Sequence, residues 1–227
     1  MTSLSGESDN GIFSISLKPP EMFITFEGIE GCGKTTLMGA LAQRLGIAGN
    51  DVVLAREPGG TPAGDRIRAL FLAPETRLSP LGEVLLLNAS RAELVRDVIQ
   101  PALARGATVL CDRFVDSTLA YQAFGRGLSS EMIRSVNAIA TGNLVPTLTF
   151  LLDVPVSVSR ERVGRRLQTE GAKTDRMESE DDAFHERVRA GFLELAEHDS
   201  RFIVLDGTLP PETLLERAAR RVNGVRR

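Results

Sequence analysis

Gly28, Gly33, Lys34 and Thr35 stand at the spacing Gly-x-x-x-x-Gly-Lys-Thr. That pattern binds phosphate. Glycines let backbone N–H groups turn inward on an anion where a Cβ would obstruct the approach. A helix starting at the lysine adds unpaired N–H groups and the partial positive charge of its N-terminus. In such a loop the lysine reaches the β- and γ-phosphates of a nucleoside triphosphate, and the threonine hydroxyl ligates Mg²⁺. The nucleotide-binding segment is therefore expected to be Gly28, Ile29, Glu30, Gly31, Cys32, Gly33, Lys34, Thr35 and Thr36. The pattern is specific only between a strand and a helix. Here Phe23, Ile24, Thr25 and Phe26 form an apolar, β-prone run before it, and Leu37, Met38, Leu41 and Leu45 recur with helical period after it.

Arginines supply a second constellation: Arg56, Arg68, Arg91, Arg113, the pair Arg165 and Arg166, and Arg176. A hydrolase needs one nucleotide and a water. A kinase with a phosphorylated acceptor needs a second anion site, to which guanidinium forks are suited. Any one arginine also reads as a solvated charge, but Arg113 directly follows Asp112 at the end of an apolar run, where that reading is weakest. The chain has no Asn-Lys-x-Asp guanine-reading motif, no Asp-x-x-Gly switch at suitable spacing and no strand ending in Asp-Glu.

The elements that must position these residues alternate. Strands are expected at Met22–Phe26, Asp51–Ala55, Ala107–Cys111, Thr147–Leu152 and Arg201–Leu205. Helical patterns cover Leu37–Leu45, Asp65–Leu72, Leu81–Arg105 with a kink at Pro101, Ser117–Phe124, Ser130–Thr141, Val156–Leu167, Asp182–Glu197 and Glu212–Val222. Nearly all-apolar strands alternating with helices predict an α/β fold, a parallel sheet covered on both faces. Right-handed crossovers then bring the phosphate loop, Arg56–Thr61, Asp112–Phe114 and Asp153 to one crevice at the carboxyl ends of the strands. Residues 1–21, rich in Ser, Gly, Asp and Asn and ending near Lys18-Pro19-Pro20, read as a loosely held extension; residues 22–227 read as one domain.

Bulk properties narrow the function. Of the 227 residues, 42% are hydrophobic and 25% charged, the profile of a soluble globular protein. A net charge of −3 and a pI of about 5.6 disfavour a nucleic-acid or anionic-membrane surface. No apolar run approaches the roughly 20 residues that span a bilayer. The start of the chain lacks the basic and apolar regions of a secretory signal. Two cysteines, Cys32 and Cys111, fit a reducing cytoplasm. Cys32, at a helix N-terminus, reads either as a reactive thiol or as a small residue in a tight loop.

Several stretches together resemble the thymidylate kinase family: Phe23 to Thr36, Arg56-Glu-Pro-Gly-Gly-Thr61, Ala89-Ser-Arg91, Asp112-Arg-Phe-Val-Asp-Ser-Thr-Leu-Ala-Tyr-Gln122, Gly125-Arg-Gly127, Leu151-Leu-Asp-Val154 and Asp175-Arg-Met-Glu178. The resemblance runs from about Met22 to Leu205; residues 1–21 have no counterpart in it. It implies a P-loop NTPase-type three-layer fold, a five-stranded parallel sheet in the order 2-3-1-4-5 with helices on both faces. It also implies Mg²⁺-dependent transfer of the ATP γ-phosphoryl group to dTMP, and a homodimer formed through helices that include part of Leu81–Arg105. The alternatives are another P-loop nucleoside or nucleotide kinase, or a non-catalytic nucleotide-binding subunit.

By the same resemblance, Arg68 and Arg113 grip the dTMP phosphate, and Arg91 hydrogen-bonds the thymine edge with Thr118 and Gln122 nearby. Glu30 meets the deoxyribose 3′-hydroxyl or its water and metal shell, and Tyr121 packs where a ribose 2′-hydroxyl would sit. Glu57, Leu87 and Ser117 complete the acceptor set, and Thr35 with Glu30 forms the expected metal set. Tyr121 also reads as a core residue, Gln122 as a surface residue, and Glu57 as an ion-pair partner positioning its loop. Asp112 is expected to orient Arg113 or a metal-bound water rather than act as a base, because a phosphate oxygen is already anionic. Ile29, Glu30, Gly31 and Cys32 are not basic, so the transition-state cation is sought in a lid, residues 160–178. That segment holds Arg160, Arg162, Arg165, Arg166, Lys173 and Arg176, with Gly164 and Gly171 as pivots. The catalytic set is then Lys34, Asp112, Arg113, Arg165 and Arg166. One departure stands out: Leu87 occupies a position where the family commonly carries an aromatic that stacks on the base. This implies turnover of dUMP alongside a preference for dTMP.

Overall fold

The computed structural model describes residues 22–171 and 174–225. The expected N-terminal extension, residues 1–21, and the lid residue Lys173 lie outside the described residues. Five parallel strands, β1 (Met22–Glu27), β2 (Val52–Arg56), β3 (Thr108–Asp112), β4 (Leu148–Asp153) and β5 (Phe202–Asp206), form one sheet in the order β2-β3-β1-β4-β5. This is the expected topology, and the chain reverses its direction of winding beside β1. Ligand crevices of open α/β sheets lie at such a point.

Strand β1 is buried along its whole length, and its side chains alternate between two cores as the two-residue period of a strand requires. Met22, Ile24 and Phe26 pack with Leu37 and Leu41 and with Phe184 and Phe192. On the other face Phe23 packs with Leu94, Ile99, Val109 and Phe114. Nine α-helices surround the sheet among the described residues: α1 (Lys34–Ile47), α2 (Pro62–Leu72), α3 (Pro80–Leu94), α4 (Gln100–Ala104), α5 (Val115–Thr118), α6 (Ser130–Thr141), α7 (Val156–Glu170), α8 (Asp182–His198) and α9 (Pro211–Val225). Thr61 and Ser79 cap α2 and α3 through bonds from the N–H groups of Gly64 and Gly82, each followed by proline at the first helical position.

Two helical stretches depart from expectation. The pattern at Leu81–Arg105 is interrupted by a π turn, Val95–Ile99, before α4 begins. Pro101 explains the position. It has no N–H to offer the carbonyl of Asp97 four residues back, and its ring crowds that carbonyl, so the helix widens upstream of the proline. The stretch expected at Ser117–Phe124 begins at Val115 and becomes a π segment over Leu119–Gly125, packed against α8. Gly125 permits that packing: a Cβ there would lie 2.7 Å from the Phe184 ring.

Asp153 ends β4 as expected but does not reach the crevice. Its carboxylate accepts two bonds from Arg189, at 2.6 and 2.9 Å, and fastens α8 to the sheet. No helix among the described residues is long and apolar enough to cross a membrane.

Candidate active site

The loop between β1 and α1 folds into the expected cradle. Gly28, Gly31 and Gly33 all have positive φ, and at Gly28 a Cβ would stand 2.5 Å from the carbonyl oxygen of Leu152. Only glycine fits there. Lys34 curls over its own loop, its Nζ donating to the carbonyls of Gly28 (3.0 Å) and Ile29 (2.9 Å). The side chains of Ile29 and Cys32 turn into the core, so these two residues offer only backbone to a ligand. For Cys32 this burial fits the reading of a small residue in a tight loop. The Thr35 hydroxyl donates to Asp112 Oδ2 at 2.8 Å, joining the start of α1 to the end of β3.

Arg113 stands between this cradle and a second half-site. Its backbone has φ 70° and its N–H is held by the Phe26 carbonyl at 3.0 Å, so the chain turns sharply at the strand end. The guanidinium reaches four partners: the Gly28 carbonyl and Ser117 Oγ from Nη1, Glu30 Oε1 and the Tyr121 hydroxyl from Nη2, all at 3.0 to 3.1 Å. Tyr121 in turn donates to Glu30 Oε1 at 2.7 Å, and its ring packs between Phe184 and Phe192. It is therefore both a core residue and a cleft residue. Burial raises the affinity of Glu30 for a proton, but the Arg113 and Lys34 cations and the Tyr121 bond outweigh it and hold the carboxyl below its usual range.

Below this layer Glu27, at the end of β1, accepts from the Phe114 N–H (2.8 Å) and from Ser117 Oγ (2.5 Å). Burial, with Asp116 adding to it, pushes the Glu27 carboxyl up to about 8 against the opposing pull of Arg113. The sequence offered no sign of this group's role beyond its place beside the cradle.

The second half-site is cationic. Arg68 donates to the Pro58 carbonyl at 3.1 Å, within the loop that carries a cis Glu57–Pro58 bond. Burial, then the neighbouring Arg56 and Arg113 charges, make its guanidinium less basic than usual. Like charges gathered in a recess favour an anion.

Two acceptor-site expectations change form. Arg91 is almost wholly buried, and all five of its N–H hydrogens have protein acceptors: Glu57 twice, Asn88, Asn137, and a Phe114 carbonyl and Thr118 hydroxyl that share Nη2 with Glu57. A bond from Arg91 to a base edge must then be a shared hydrogen rather than a free donor. Glu57 gives both its oxygens to Arg91, not to Arg56, and so acts as the partner that fixes Arg91. Gln122 is buried rather than on the surface. Its Nε2 donates to Glu83 Oε2 at 2.9 Å, while its Oε1 lies buried with no hydrogen-bond partner. Leu87 lines the cleft as expected, and Phe71 from α2 adds an aromatic wall that the sequence reading missed, with Arg176 lying 4.7 Å over its ring.

The expected lid arginines separate. Arg165 is turned to solvent, paired with Glu161 at 2.6 Å, and does not line the cavity. Arg166 lines the cleft and pairs with Glu178. Arg162, one turn earlier, lines it too and donates to the Gly207 carbonyl at 3.0 Å. The i, i+4 spacing of Arg162 and Arg166 was the available signal, since it puts both on one helix face. Of the proposed pivots, Gly164 lies inside α7 and Gly171 caps it in a left-handed conformation. Beyond it, Arg176 donates to the Phe71 carbonyl (2.9 Å) and Glu83 (2.5 Å). Glu83 also holds Gln122 and Arg126, a junction the sequence did not reveal.

Both members of the expected metal set, Thr35 and Glu30, have protein partners. Glu30 Oε1 is occupied by Arg113 and Tyr121, and Oε2 faces His185 of α8. The carboxylate next to Thr35 is that of Asp112, which accepts from its hydroxyl. Among the described residues no cluster of three His, Cys, Asp or Glu side chains could hold a metal alone. A hydroxyl and a carboxylate completed by phosphate oxygens is the usual arrangement for Mg²⁺.

The cradle and the cationic half-site share one cavity of about 650 Å³. The family model for thymidylate kinase matches residues 26–218. The thymidylate kinase of Deinococcus radiodurans is 53% identical over 194 residues, spanning 85% of this chain and 92% of that one. That of Geobacter sulfurreducens is 50% identical over 210 residues, spanning 88% and 99%. The crystal structure of thymidylate kinase from Ehrlichia chaffeensis superposes with a TM-score of 0.73 at 34% identity, covering 90% of this chain and all of that one.

Proposed function

The chain belongs to the thymidylate kinase family, and we propose that its cleft transfers the γ-phosphoryl group of ATP to the 5′-phosphate of dTMP, giving ADP and dTDP. The observation that carries this reading is the pairing of a phosphate cradle with Arg68, a half-buried guanidinium beside two other cations, in the same cavity. One anion site suits a hydrolase; two facing anion sites suit transfer between nucleotides.

In this reading the N–H groups of residues 28–36 and Lys34 hold the ATP phosphates. Arg68 and Arg113 hold the acceptor phosphate in line with the donor. Thr35 and Asp112 would hold Mg²⁺, directly or through water, and Mg²⁺ bound with ATP supplies charge neutralisation on the phosphate oxygens. No general base is needed, because the attacking oxygen is already anionic. Arg166 is the lid cation placed to meet charge on the transferring group, with Arg162 beside it. Leu87, Phe71, Thr118 and Gln122 line the base end, where Arg91 holds Thr118 and shares a hydrogen with the thymine edge. Tyr121 and Glu30 face the sugar.

A homodimer is part of the proposal. Leu81 and Leu85 of α3 and Leu70 of α2 are large apolar side chains left exposed on neighbouring helices. A cytoplasmic location follows the family and the two buried free thiols, Cys32 and Cys111.

The test is ADP release from ATP and Mg²⁺ with dTMP, dUMP, dCMP, thymidine and AMP as acceptors. dTMP is expected to give the highest kcat/KM. Absence of dTMP-dependent ADP release overturns the proposal.

A further inference from the structure

Glu30 is held from three directions, and only two are complete. Its backbone carbonyl accepts from Ser159 Oγ of α7 at 2.7 Å, and its Oε1 accepts from Tyr121 and Arg113. Oε2 is buried without a hydrogen-bond partner. Facing it at 3.4 Å is Nδ1 of His185, 3% exposed, whose two ring nitrogens are likewise buried without hydrogen-bond partners. Buried polar atoms are rarely left in this condition, because each forfeits its bonds to water. Here two sets of them point at each other. The His185 ring also packs edge-on against Phe184, centroids 5.5 Å apart, and Phe184 in turn packs against Tyr121.

We propose that His185 is a positioning residue for the acceptor site: its Nδ1–H holds Glu30 Oε2 and so sets the plane in which the Glu30 carboxylate presents Oε1 to the cleft. A carboxylate tied at one oxygen rotates about its last bond; tied at both, it does not. Arg113 and Tyr121 share Oε1, so the orientation of that plane reaches both the phosphate-gripping guanidinium and the sugar-facing ring. Burial lowers the proton affinity of His185, and Arg160 adds to this against Glu30, Glu180 and Asp182. The contact does not depend on titration, since the neutral Nδ1–H tautomer and the imidazolium both carry the required proton. His185 does not line the cavity and acts only through Glu30.

The inference rests on the acceptor site proposed above, and its test separates the two. KM for dTMP and for ATP, kcat, and the calorimetric Kd for dTMP without ATP are measured for the full chain and for His185→Leu, His185→Asn and His185→Gln. Asparagine places its amide N–H where Nδ1 stands, whereas glutamine places it where Nε2 stands. The leucine and glutamine variants are expected to raise the KM and Kd for dTMP about tenfold, the scale of a lost hydrogen bond to a charged group. KM for ATP should stay within twofold, and asparagine should restore dTMP binding to within about threefold of the unsubstituted chain. If leucine does not fold, the asparagine and glutamine variants still decide the matter. Equal dTMP constants for those two, or a parallel rise in KM for ATP, overturn the role of His185. An unsubstituted chain that binds and phosphorylates no dTMP overturns instead the acceptor site on which the inference rests.

Discussion

Arg91 and Glu57 form a bidentate ion pair inside the protein, with 1% and 4% of their side chains exposed and a closest approach of 2.5 Å. The pair links α3 to the loop after β2, and through Thr118 and Asn137 it also links α5 and α6. Its members support the cleft from below.

Removing one partner strands the other without solvent or counter-charge. Arg91→Ala is therefore expected to destabilise the fold by about 3–5 kcal/mol, a loss typical of a broken buried pair. Arg91→Met and Glu57→Met made together should cost markedly less than the sum of the same two changes made singly. Urea titration of the three variants checks this, and strict additivity would contradict it.

The lid arginines should differ sharply in turnover. Arg166→Ala is expected to lower kcat about a hundredfold with little change in KM for dTMP, the scale found when a transition-state donor is removed. Arg165→Ala should leave kcat within twofold, because its partner is Glu161 at the surface. Single-turnover assays with ATP and dTMP read both. Equal losses in the two variants would remove Arg166 from its assigned place.

Glu27 makes stability depend on pH in a defined direction. Its folded value of about 8 exceeds its ordinary 4.5, so between these pH values the folded chain keeps a proton that the unfolded chain has released. Raising pH across that window favours unfolding, and the contribution is fully present only below the lower value. Glu27→Gln should therefore show a flatter stability curve than the unsubstituted chain from about pH 5 to 8. Urea midpoints at several pH values measure the difference. Parallel curves for the two proteins would refute the shift.

At the base end, Phe71 is expected to provide the aromatic surface that Leu87 lacks. Phe71→Leu should raise KM for dTMP about fivefold, matching roughly 1 kcal/mol of aromatic contact. Leu87→Phe should lower KM for dTMP and widen the gap over dUMP, which the unsubstituted chain should still phosphorylate measurably. Acceptor kinetics with both nucleotides test this. No detectable dUMP activity in the unsubstituted chain would contradict the expectation.

The parts of the site legible from sequence are those set by the backbone. Gly28, Gly33 and Lys34 declare their loop because no other residue meets the φ and space required at Gly28. The five strands were visible because each is almost continuously apolar, and their covered faces follow. The side chains that complete the site were less legible, for distinct reasons. Adjacent arginines such as Arg165 and Arg166 point apart on a helix, and the inward Val156, Ser159 and Val163 set the helix phase. Glu83 meets Arg126 and Arg176, and His185 meets Glu30, across sequence separations that no local pattern encodes. Arg91 reads from the sequence as a free donor because its five acceptors come from four separate segments.

The guanidinium of Arg113 touches the Gly28 carbonyl and Ser117 through one terminal nitrogen and Glu30 and Tyr121 through the other. One planar fork is thus expected to act as a molecular ruler between the two compartments. Bisubstrate inhibitors that tether adenosine to thymidine should accordingly show a sharp optimum in linker length, set by the reach of this single side chain.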